Sequence, residues 1–301
     1  MVTANSNQVA LITGCSEPGS LGASLALELR KRGWQVIATA RKIETMKLLA
    51  TEGCHLVSLD VSDRESIARA VREVANLTGG RLDLLVNNAA VTQTAPFLNI
   101  DPERLMIMYD VNVAGPLRVI QAFADMLMRT ANDPTVAKGV TKATVLNIGS
   151  VAAWGPPWNG AYGSSKAAMS TLSESMKHEL GPLGIKVINT ELGEFDTPMA
   201  NNLKPFALTH DTPSPYMAQY PAIDKRCAEE VAKRLKTAIK PAQVARALVD
   251  VVELRDPPGK VWGGTAGWMF RYVWPVMPGS LVSMFWRKVI HTDMLERPVF
   301  H

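Results

Sequence analysis

The chain has 301 residues, 47% of them hydrophobic and 20% charged, which suits a globular fold of one large domain or two small ones. Its 32 basic residues against 28 acidic ones give a net charge of +4, too mild a bias for a nucleic-acid partner, and no Lys/Arg-rich run occurs. Three cysteines, Cys15, Cys54 and Cys227, are odd in number and unpaired in spacing, which excludes a disulfide framework and a zinc site and predicts free thiols in a reducing, cytoplasmic compartment. The polar opening MVTANSNQ lacks the basic-then-apolar order of a secretory signal. Along the chain, Gln8 to Thr13 reads as a buried strand and Leu21 to Arg32 as a helix ending at Gly33. Strand Trp34 to Ala38, a short helix Ile43 to Leu49 and strand His55 to Leu59 follow. Arg64 to Leu77 is an amphipathic helix and Leu82 to Val86 the fourth strand. A long helix from Glu103 to Met128 precedes strand Thr144 to Ile148, helix Gly160 to Leu180 and strand Lys186 to Asn189. Asp224 to Ile239 and Ala242 to Leu254 read as two further helices. Six strands alternating with helices predict an α/β fold, a parallel sheet with helices on both faces.

The first strand–helix turn runs from Thr13 to Gly22, with glycines at 14, 19 and 22. Such a turn lets backbone N–H groups approach a pyrophosphate at a helix N-terminus. A merely structural turn is an even match for the glycines alone, and the position between a first strand and a first helix favours dinucleotide binding. Between Val36 and Lys42, where an NAD site places an acid for the ribose hydroxyls, there is none; Arg41 and Lys42 close the strand instead. A basic residue there meets the 2′-phosphate of NADP(H), and Ser16 can add a hydroxyl. The bland alternative is an ordinary surface arginine.

Tyr162 and Lys166 stand four apart in AYGSSKAA, on one face of the predicted helix. A cation beside a phenol favours phenolate, so the spacing predicts a tyrosine pKa lowered toward working pH, suited to proton exchange as a carbonyl and an alcohol interconvert. Ser150 precedes the pair at the end of a strand.

With Thr13–Gly22, Asp60-Val61, Asn87-Asn88-Ala89-Ala90, Asn112 in DVNVAG, Ser150, Tyr162, Lys166 and Thr197 in this order, the chain resembles the short-chain dehydrogenase/reductase family over about residues 8 to 200. The resemblance implies a single Rossmann-like, doubly wound domain. It implies Ser150, Tyr162, Lys166 and Asn112 as the catalytic set, with Ser150 holding a carbonyl oxygen and Asn112 anchoring a water linked to Lys166. It assigns Ile12, Gly14, Ser16, Gly19, Leu21, Gly22, Arg41, Asp60, Val61, Asn88, Tyr162, Lys166, Phe195 and Thr197 to cofactor binding. Four departures stand out: an extra residue between Gly14 and Gly19, Ala90 for a glycine, a Ser150–Tyr162 spacing one residue short, and Leu192-Gly193 for Pro-Gly. An NADP(H)-dependent oxidoreductase interconverting a ketone and a secondary alcohol is the implied activity. A non-redox isomerase or cyclase, or a non-catalytic cofactor-binding scaffold, is the alternative. The substrate loop, about 193–240, is expected to form a lid for a hydrophobic carbonyl or alcohol. The family's habit also implies a homo-oligomer.

Residues 1–260 are expected to form the cofactor-binding domain and 261–301 an aromatic-rich extension. Four of the seven tryptophans, Trp262, Trp268, Trp274 and Trp286, fall in that extension, and Tyr272 to Trp286 is uncharged. The stretch is too short and proline-broken to cross a membrane, and predicts a pocket wall, a dimer contact or a peripheral membrane segment. This tail and the lengthened glycine turn are similar to fungal 1-acyldihydroxyacetone-phosphate reductases and related fungal natural-product reductases.

Overall fold

The structure is a computed structural model that describes residues 8–134, 143–197, 220–235 and 237–289. Seven parallel strands form one sheet: β1 (Val9–Ile12), β2 (Gln35–Ala40), β3 (His55–Ser58), β4 (Leu84–Asn87), β5 (Ala143–Asn147), β6 (Ile185–Leu192) and β7 (Lys260–Gly263). Their order is β3-β2-β1-β4-β5-β6-β7, and the register pairs Ala10 with both Val36 and Leu84. The strands are apolar on both faces because helices cover both. Ala10, Ile12, Leu84 and Val86 pack beneath α1 (Leu21–Lys31), while Val9, Leu11 and Leu85 face the other way. The second face is covered by α3 (Arg64–Thr78), α5 (Gly115–Ala131) and α6 (Gly160–Leu180). A short α2 (Lys47–Thr51) follows a 3-10 turn after β2.

Six strands were expected, and β7 is the seventh. It is a four-residue run, KVWG, too short to stand out by period, and it is a strand because β6 offers an edge: Asn189 pairs Lys260 and Leu192 pairs Gly263. The boundary expected at 260/261 therefore falls inside a strand of the main sheet. β6 also runs to Leu192, beyond the expected Asn189.

The predicted helix Glu103 to Met128 is three pieces. α4 (Pro102–Tyr109) and α5 are joined by a π-helical turn, Asp110–Ala114. The wide turn puts one extra residue into the helix at Asn112. α7 (Tyr220–Leu235) and α8 (Pro241–Val252) match the two later helices, α7 starting four residues early. Residues 198–219 of the expected lid lie outside the described residues.

The tail folds back in short pieces, as Pro275 and Pro278 demand. These are α9 (Gly267–Tyr272), a 3-10 turn Trp274–Val276 and α10 (Gly279–Val289). Phe270, Trp274, Phe285 and Trp286 cluster with ring centroids 4.9–6.4 Å apart, and Phe270 and Trp274 are buried. No helix among the described residues is long and apolar enough to cross a membrane. Cys15, Cys54 and Cys227 form no disulfide among the described residues.

Candidate active site

Chain order reverses direction between β1 and β4, so their carboxyl ends open a crevice. Thr13 closes its floor. Its buried hydroxyl accepts the N–H groups of Asn88 and Ala89, each at 3.0 Å, and donates to the Val86 carbonyl. Asn88 Nδ2 donates back to the carbonyls of Thr13 (2.8 Å) and Gly14 (3.0 Å). The turn is thereby stitched to the exit of β4.

This stitching dictates two of the three glycines. A Cβ at Gly14 would lie 2.8 Å from Ala89 Cα, and one at Gly22 would lie 2.6 Å from Asn88 Nδ2. Gly19 differs: at φ +76° it has open space where a side chain would stand, just before the α1 N-cap Ser20. The first turn of α1 also carries no acidic residue. An open backbone turn leading into a helix whose first turn carries no acid fits an anionic pyrophosphate, with Glu17 the one carboxylate in the loop before it. Ile12 has no exposed surface and its carbonyl accepts the Thr39 hydroxyl, so it supports the cradle from below. Leu21, Gly22 and Val61 are likewise buried. Ser16 and Arg41 are exposed at the rim.

Asp60 lies partly buried after β3. Burial pushes its carboxyl up, but the Ser62 hydroxyl (2.6 Å) and N–H (2.9 Å) donate to it and the Arg41 charge acts on it, so the net shift is downward. Phe195 packs partly buried against the core under α1 and α8, and Thr197 stands partly exposed beyond β6.

At the other side of the crevice, Ser150 follows β5 and caps the 3-10 turn Val151–Trp154, its Oγ accepting from Ala152 N at 3.1 Å. α6 packs against that turn so closely that a Cβ on Gly163 would come 2.5 Å from the Ala152 carbonyl oxygen. This approach lets the Ser150 side chain hydrogen-bond Tyr162. One turn on, Lys166 is buried with its Nζ donating to the Ile148 carbonyl at 2.7 Å and lying 5.7 Å from the Tyr162 ring centre. Ser150, Tyr162 and Lys166 are thus brought together.

The electrostatics differ from the expectation in one respect. Lys166 was expected to lower the Tyr162 pKa. Burial instead pushes the Tyr162 phenol up to about 12, with the Ser150 hydrogen bond opposing it. Burial also lowers Lys166 to about 8, with the Glu191 charge opposing that shift. The ammonium is committed to a backbone carbonyl, and both groups are desolvated more strongly than they help each other.

Asn112 is held by the π-turn and is buried. Its Oδ1 accepts Val91 N (2.8 Å), and its Nδ2 donates to Val91 O (2.9 Å) and Ser165 Oγ (3.0 Å). The side chain clamps the β4 exit to α6. Three contributors went unread in the sequence. Ser165 receives Asn112 and donates to the Tyr162 carbonyl at 2.7 Å, and Gly163 permits the close approach; both stand in AYGSSKAA beside Tyr162. The third, Glu191, is a charge in an otherwise apolar strand.

A reversed parallel sheet with an anion cradle at the reversal and a Ser–Tyr–Lys cluster across the crevice defines a dinucleotide-binding α/β oxidoreductase. Residues 8–207 match the short chain dehydrogenase family. A short-chain dehydrogenase/reductase of Pestalotiopsis microspora is 30% identical over 298 residues, covering 98% of both chains. The NADPH-dependent 1-acyldihydroxyacetone phosphate reductase of Schizosaccharomyces pombe is 37% identical over 188 residues, 62% of this chain and 60% of that protein. A short-chain dehydrogenase structure from Streptomyces avermitilis superposes with a TM-score of 0.70 at 27% identity, covering 94% of this chain and 96% of the other. The chain belongs to the short-chain dehydrogenase/reductase family.

Proposed function

We propose that this chain uses NADP(H) to interconvert a ketone and a secondary alcohol on a hydrophobic, lipid-like or secondary-metabolite substrate. The observation that carries the reading is the junction of Ser150, Tyr162 and Lys166 across the crevice from the Gly19 cradle. Backbone N–H groups at the start of α1 would hold the pyrophosphate, and Arg41 with Ser16 the 2′-phosphate. The NADPH dependence of the fission-yeast relative supports that choice. Bound there, the cofactor supplies or accepts the hydride.

The protein's own residues handle the oxygen and the proton. Ser150 donates a hydrogen bond to the substrate oxygen and fixes its place. Tyr162, its pKa held up to about 12, is protonated at neutral pH and gives its hydroxyl proton to the developing alkoxide. Lys166, still cationic below about pH 8, faces the phenolate that this leaves. Asn112 keeps α6 in register with the loop after β4.

Trp154, a few residues after Ser150, sits 6.3 Å from Trp262 on β7 and is partly exposed, an apolar wall that favours a bulky substrate. Apolar Phe97, Leu98, Met106 and Ile107 stand exposed around α4, a face for a second copy of the chain. The test is to offer purified protein and NADPH a panel of ketones of graded size and follow cofactor oxidation. Tyr162→Phe is expected to lower turnover on the order of a hundredfold or more while leaving cofactor binding intact. A variant as fast as its parent removes Tyr162 from the role of acid.

A further inference from the structure

β6 carries a carboxylate where a doubly covered strand ordinarily carries none. Glu191 is 1% exposed. Its Oε1 gathers three donors: Ser170 Oγ at 2.7 Å, Asn189 Nδ2 at 3.1 Å and Lys260 Nζ at 3.3 Å. Its Oε2, like Asn189 Oδ1 beside it, finds no donor among the described residues. A buried carboxylate with one oxygen left without a donor calls for an explanation.

The surroundings supply one. Ser170 follows Lys166 by one helical turn and Tyr162 by two, so the three share a face of α6. The orphaned Asn189 Oδ1 abuts Gly149, since a Cβ on that glycine would lie 3.1 Å from it. Gly149 adjoins Ile148, whose carbonyl holds the Lys166 ammonium. The charged groups facing Glu191 are Lys166 on α6 and Lys260 on β7. Lys260 has a side chain 40% exposed and stacks over Trp262 at 5.4 Å, so solvent screens it. Lys166 is buried, so solvent screens it less.

We propose that Glu191 is a positioning residue whose buried charge keeps Lys166 protonated, with Ser170 and Lys260 fixing the carboxylate in place. The inference rests on the reading of Tyr162 and Lys166 as the proton-handling pair. Lys166 loses its proton as pH rises, so its titration sets an upper limb in the pH profile. In Glu191→Gln, the limb of kcat/KM is expected to move down by about half to one pH unit. The loss is then threefold to tenfold near the limb and smaller at lower pH. Glu191→Asp is expected to keep the limb in place. Lys260→Met gives the opposite sign: with its screened partner gone, Glu191 acts on Lys166 alone and the limb moves up.

A second readout needs no turnover. With isotope-labelled lysine in the cofactor-free protein, and the Lys166 resonance assigned through Lys166→Arg, the NMR titration is expected to shift in the same directions. If Glu191→Gln lowers activity equally at every pH and the Lys166 titration stays put in both variants, Glu191 is only structural and the proposal falls. If the parent reduces no carbonyl but the titration shifts as described, the pairing stands and the reductase reading is what fails.

Discussion

The cofactor choice turns on single side chains at the end of β2. Arg41 is exposed at the rim, and no acid lies between Val36 and Lys42 to hold ribose hydroxyls. The carboxylate that does stand near, Asp60, is occupied by Ser62 and pulled further toward ionisation by the Arg41 charge. On the proposed NADP(H) reading, Arg41 is the partner for the 2′-phosphate. A charge-assisted contact of this kind contributes about 1.5–3 kcal/mol. Arg41→Ala is expected to weaken NADPH roughly tenfold to a hundredfold and NADH hardly at all, measured by fluorescence titration of both cofactors. A parent protein that binds the two equally would remove Arg41 from this role.

At the scale of elements, the site depends on how tightly α6 lies against the turn Val151–Trp154. Gly163 sets that distance, because the atom a side chain would meet is backbone, the Ala152 carbonyl at 2.5 Å, and backbone yields reluctantly. Gly163→Ala should push the turn away from α6 and carry Ser150 off Tyr162. Displacements near 1 Å can cost about a hundredfold in rate. The expected result is a turnover loss of roughly tenfold to a hundredfold with NADPH affinity unchanged, since Gly14, Gly19 and Gly22 are untouched. Parent-like turnover would mean that the contact can relax without cost. The π-turn at Asn112 works in the same way, widening α4–α5 where the amide must span Val91 and Ser165.

For the whole molecule, the tail presents two faces of different character. Its inner face is the Phe270–Trp274–Phe285–Trp286 cluster; its outer face exposes Trp268, Tyr272, Val276, Leu281 and Met284 beside Arg271, Arg287 and Lys288. Apolar side chains rimmed by cations match an anionic lipid surface. The full chain is expected to co-sediment with vesicles containing phosphatidylserine and to be released by salt. Trp268→Ser with Val276→Ser should weaken binding without loss of fold. A parent that stays in the supernatant excludes lipid docking and leaves a second copy of the chain as the partner for this face.

The alternation of strands and helices was legible because each buried strand is a short apolar run and each helix an amphipathic repeat. Tyr162 and Lys166 were legible because helical spacing alone puts them on one face. The glycines at 14, 19 and 22 were visible as a cluster, although only contacts separate the two that pack against Asn88 and Ala89 from the one that leaves open space. What the sequence could not reveal depends on groups far apart in the chain. β7 exists because β6 presents an edge 71 positions earlier, Asn189 pairing Lys260 and so on along the strand, a pairing that no local period records. The protonation of Tyr162 and Lys166 is set by burial, a property of everything packed around them, and so it ran against what their spacing alone implied. Glu191 is the same lesson at one residue: local sequence marks an acid on a strand, and only the fold seals it beneath α6 and ties it to Ser170 and Lys260.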